Sequence, residues 1–69
     1  MQEYTAVVKQ QGDWWFGWIE EIPGVNCQER SREELRESLR DTLREAIRMN
    51  REEALGLASG DFTEEPVAV

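Results

Sequence analysis

Residues 14–24 read W-W-F-G-W-I-E-E-I-P-G. Five of the first six are aromatic or β-branched, the make-up of a strand that packs on both faces, and the Pro-Gly pair that follows must turn the chain. A central strand over 14–20 is therefore expected. Side chains alternate across a strand, so Trp15, Gly17 and Ile19 point one way while Trp14, Phe16 and Trp18 point the other. The glycine in the first set leaves room for another element to approach closely, and the second set is an unbroken row of rings. The first set is read as the internal core and the second as a surface for a partner.

Working outward, residues 4–10 begin Y-T-A-V-V-K and form a first strand, separated from the central one by the polar stretch Gln10-Gln11-Gly12-Asp13. That is a hairpin pattern. With Gly12 and Asp13 as a two-residue loop, Gln11 faces Trp14, and Ala6 and Val8 join the face of Trp15, Gly17 and Ile19. A three-residue loop would place Val7 there instead, because a one-residue slip reverses every side chain. On the other side, Pro23 lacks a ladder donor and ends the central strand, Gly24 completes the turn, and residues 25–30 have room for a third strand. Its Cys27 reads as a small buried hydrophobe, since no histidine exists to activate a thiolate.

Ser31-Arg32-Glu33-Glu34 matches a capping box, in which the Ser31 hydroxyl accepts from the Glu34 amide and Glu34 reaches back to the Ser31 amide. A helix over about 32–55 follows, with Leu35, Leu39, Thr42, Leu43, Ala46, Ile47 and Met49 as an apolar stripe at helical spacing. Gly56 and Gly60 weaken it beyond Leu55. On its other side Glu33, Glu37, Asp41 and Glu45 each stand three residues before Arg36, Arg40, Arg44 and Arg48, spaced for ion pairs worth about 0.2 to 0.5 kcal/mol each. The chain closes on an acidic tail, in which Pro66 followed by V-A-V allows a short edge strand over 66–69.

Sixty-nine residues make one small domain of marginal stability, which self-association would help. The formal charge is −7. Residues 31–53 hold six basic and seven acidic groups, a net of −1, so the other −6 lies in the strands, loops and tail. That sign repels phosphate backbones and attracts basic proteins, so direct nucleic-acid binding is not expected. One cysteine and no histidine leave neither an internal disulfide nor a Cys/His metal site. Among carboxylates near the central strand, Asp13 belongs to a solvent turn and Glu20 and Glu21 point apart, so nothing converges for catalysis and no enzyme or cofactor is expected. No apolar run reaches the roughly 20 residues of a membrane span, and the first residues lack the form of a secretion signal, so a soluble cytoplasmic protein is expected.

The order strand, aromatic strand, P-G, short strand, capped helix and terminal strand resembles the HicB-like antitoxin family. The likeness rests on Tyr4 with Val7 and Val8, Gly17 before Ile19, the I-P-G-V of residues 22–25, Gln28, and the S-R-E-E-L of residues 31–35. The resemblance implies an α+β fold with order β-β-β-α-β, a small antiparallel sheet with one long helix on one face, like a degraded ribonuclease H-like half without its catalytic carboxylates. It also implies a partner, a small basic ribonuclease toxin of the HicA type that the antitoxin blocks by protein contact. Many family members carry a further DNA-binding module; this chain stops where it would begin and is not expected to bind operator DNA itself. Trp14, Phe16 and Trp18 are expected to form the toxin interface, with Glu20, Glu21, Glu64 and Glu65 as acidic steering groups. A dimer or tetramer is expected as the assembly. An orphan homo-oligomer that binds another protein or a small ligand is the alternative.

Overall fold

The hairpin turn fixes the sheet. In a computed structural model that describes residues 3–68, β1 (Ala6–Gln11) and β2 (Trp14–Ile19) pair antiparallel with Gln11 opposite Trp14, Val8 opposite Gly17 and Ala6 opposite Ile19. Gly12 has φ +63 and Asp13 is not left-handed, the pattern of a two-residue turn with glycine first, whose twist matches that of the strands it joins. This is the two-residue register, so Val7 belongs to the opposite face.

Pro23 and Gly24 make the second turn. Gly24 has φ +89, the conformation that the third residue of a type II turn requires and that glycine adopts without strain. The chain then returns as β3 (Asn26–Glu29), antiparallel to β2 with Gly17 opposite Cys27, giving sheet order β1-β2-β3. The ladders run slightly past the strands: the Ile19 amide donates to the Val25 carbonyl at 3.1 Å and the Glu20 amide to the Thr5 carbonyl at 2.9 Å.

Helix α1 (Arg32–Leu57) begins at Ser31, whose hydroxyl accepts from the Glu34 amide at 3.1 Å. The reciprocal bond of a full capping box is not made among the described residues. The helix runs two residues past Leu55, because a glycine such as Gly56 costs about 1 kcal/mol relative to alanine but does not forbid the conformation. It ends at Ala58, whose amide donates to the Leu55 carbonyl.

The helix lies over β2 and β3, on the Gly17 side. A Cβ at Gly17 would stand 2.8 Å from Leu39 Cδ1 and 3.1 Å from Leu35 Cδ2, so the glycine is what lets the helix settle on the sheet. The buried core is Ile19, Val25, Leu35 and Leu39, with Tyr4, Val8, Trp15, Ile22, Cys27, Leu43 and Ala46 packed around it. Two polar contacts seat the helix on β3: Ser38 donates to Glu29 at 2.6 Å, and Cys27 Sγ lies 3.4 Å from Thr42 Oγ1. Four helical residues rise about 6.0 Å and two strand residues about 6.8 Å, so this pairing keeps step only if the helix runs antiparallel to β3.

Beyond Met49 the helix outruns the sheet, and the molecule extends 52 × 23 × 16 Å with a radius of gyration of 15.4 Å. No fourth strand forms among the described residues. Pro66, Val67 and Ala68 are exposed and in no regular element, and Val69 lies outside the described residues. The helix has carried the tail away from both sheet edges, where a strand would find hydrogen-bond partners. No described helix is long and apolar enough to cross a membrane.

Candidate functional site

One helix covers one face of the sheet, so the other face is open. Strand register sorts its side chains into three rows: Val7, Trp18 and Asn26; Lys9, Phe16 and Gln28; Gln11, Trp14 and, one residue past the β3 ladder, Arg30. Trp18 is 41% exposed, and Trp14 and Phe16 are half-buried. Between them lies an open concavity lined by Lys9, Gln11, Phe16, Trp18, Asn26 and Gln28. The Arg30 guanidinium sits 3.8 Å from the centroid of the Trp14 ring, a cation–π contact that covers part of one end of the row.

The charge of this face differs from that of the chain. Its three rows hold Lys9 and Arg30 and no carboxylate, while the chain as a whole carries −7. The carboxylate of β3, Glu29, is turned inward to Ser38. The aromatic row thus has cations beside it, with the exposed Glu20 one step past its Trp18 end.

Of the acidic groups named with the row, Glu20 lies at its end and the others lie elsewhere. Glu20 follows β2 just past Trp18 and is exposed. Glu21 accepts from the Thr5 amide at 2.8 Å, and that hydrogen bond holds its carboxyl below the ordinary value of 4.5. Glu21 therefore pins the entry to β1. Glu64 and Glu65 stand at the far end of the helix, beside Arg51, Ala54 and Leu55, with Glu65 accepting from the Thr63 hydroxyl at 2.9 Å. Ser38, at the Trp15 level of the sheet, is nineteen residues before Leu57, which at 1.5 Å per residue is about 28 Å. The structure brings Trp14, Phe16 and Trp18 together and keeps Glu64 and Glu65 apart from them.

Two features of the site escaped the sequence reading. Arg30 over Trp14 follows from the register, since a residue one past Glu29 falls opposite the residue one before Trp15. The Ser38–Glu29 and Thr42–Cys27 contacts follow from an i, i+4 polar pair on a helix facing an i, i+2 pair on a strand. No group of three or more His, Cys, Asp or Glu side chains that could hold a metal ion occurs among the described residues.

No protein-family model matches the chain, and neither a curated protein nor a solved structure matches it.

Proposed function

We propose that this chain is a non-catalytic, antitoxin-like binding module that neutralises a small basic ribonuclease of the HicA type by protein–protein contact. The observation that carries the reading is the row Trp14, Phe16 and Trp18 on the one sheet face that the chain's own helix leaves open. Large rings on an uncovered face are the usual anchors of a protein interface. The net charge of −7 supports a basic partner through long-range attraction. Because the row itself is flanked by Lys9 and Arg30, the steering groups in this reading are Glu20 and the tail acids, and the row supplies contact.

A second reading is favoured by the thinness of the core. Four buried hydrophobic side chains among the described residues, with Met49 and Leu57 exposed on the helix, fit a stand-alone homo-oligomer that binds another protein or a small ligand. Co-expression with the neighbouring reading frame separates the two. Co-purification with a small basic histidine-containing protein, whose ribonuclease activity the chain abolishes, supports the antitoxin reading. Absence of any such frame, or a frame whose product neither binds nor is inhibited, favours the homo-oligomer.

A further inference from the structure

We infer that residues 61–67 of one copy dock on the open sheet face of a second copy, each chain giving its tail to the other. The tail and the face are complementary in charge and in kind. Across its three rows the face offers Lys9, Arg30 and the Trp18 ring, with Glu20 just past its Trp18 edge; the tail offers Asp61, Glu64 and Glu65 with Phe62 and Val67, both more than half exposed. Among the described residues neither Lys9, Arg30 nor the tail acids make an ion pair, although Glu64 and Glu65 lie near Arg51.

The position of the tail points to an exchange between copies. Thr42, level with Gly17 through its contact with Cys27, is sixteen residues before Ala58, which is about 24 Å along the helix. Phe62 is four residues beyond Ala58 and so at most about 14 Å from it. In the structure the tail stays at that end of the molecule, with Phe62, Glu64 and Glu65 beside Arg51, Ala54 and Leu55 and not on the sheet. The helix therefore holds the tail out from its own sheet, where the face of a second copy can take it. In such a pair Glu64 and Glu65 meet the aromatic row that a single chain keeps them from, and a partner protein must displace the tail to reach Trp18.

Charge exchange on the full chain tests this without any partner protein. Light scattering should show a reversible dimer that weakens as salt is raised, because the pairs are exposed and screened. Lys9→Glu with Arg30→Glu in one variant, and Glu64→Lys with Glu65→Lys in another, should each weaken self-association about ten-fold or more. All four positions are exposed, and circular dichroism melting confirms that each variant folds. Mixed in equal amounts, the two variants should recover the parental dimer, since each tail then meets a face of opposite sign. A parent that stays monomeric at all concentrations, variants that associate like the parent, or a mixture that does not recover would each overturn the inference. So would a dimer that survives tail reversal but is lost with Trp18→Ala, which would mean two sheet faces stacked on one another.

Discussion

At Gly17 a single missing side chain sets the relation of helix to sheet. A Cβ there meets two leucine methyls and, at 3.3 Å, the Val7 carbonyl, which as backbone cannot swing aside. Gly17→Leu should cost about 1 to 3 kcal/mol by overpacking, read as a lower urea midpoint. An unchanged midpoint would mean that the helix is not seated over this residue. Ser31 acts at the helix start, where its hydroxyl satisfies one otherwise orphaned amide. Ser31→Ala should lose about 1 kcal/mol, whereas Glu34→Ala should lose only the few tenths that an acidic group contributes beside a helix N-terminus. A loss of about 1 kcal/mol from Glu34→Ala alone would show that the reciprocal half of the box forms in solution. Both positions were legible in the sequence for a local reason: glycine inside an aromatic strand and serine three before a glutamate each have few structural meanings.

Strand pairing was legible where alternation and turn chemistry agreed, as at Gly12-Asp13, while the choice between a two- and a three-residue loop stayed open in the sequence and is decided by the pairing of Gln11 with Trp14. Element ends were read less well. The helix continued past Gly56, and the strand expected over 25–30 is limited to Asn26–Glu29, although the Val25 carbonyl still joins the ladder. Of the four arginine pairs expected along the helix, one forms among the described residues, Arg48 to Glu45 at 2.6 Å. The others stay solvated because an exposed pair gains little over water and costs two long side chains their freedom. Glu21 is an element-scale device, since its carboxylate holds the start of β1 through the Thr5 amide. Its carboxyl is held below 4.5 in the folded chain, so its contribution is present above that value and is lost as pH falls through the lowered one. By NMR the Glu21 carboxyl should titrate below pH 4.5 together with the Thr5 amide shift, and Glu21→Gln should abolish that coupled transition.

At the scale of the whole molecule, contact and steering fall on different parts of the chain, so the two kinds of variant separate. Against a basic partner, Glu20→Lys should slow association and flatten its salt dependence, since rim charge acts on the on-rate over about 8 to 10 Å. Trp18→Ala should speed dissociation at any salt by 2 kcal/mol or about that if the ring is a hot spot, measured by surface plasmon resonance. If Trp18→Ala leaves both partner binding and the mass of the free protein unchanged, the open face is not a binding surface. The sequence could place the ring row, because alternation is local, but not the tail acids, whose position depends on how far the helix overhangs the sheet. That overhang has a hydrodynamic consequence. A compact chain of 69 residues has a radius of gyration of about 11 Å, while this one has 15.4 Å, a value that compact packing reaches at about 170 residues. On a gel-filtration column calibrated with globular standards, the monomer should elute where a globular protein of more than twice its mass does. Apparent size alone would therefore count two chains where there is one.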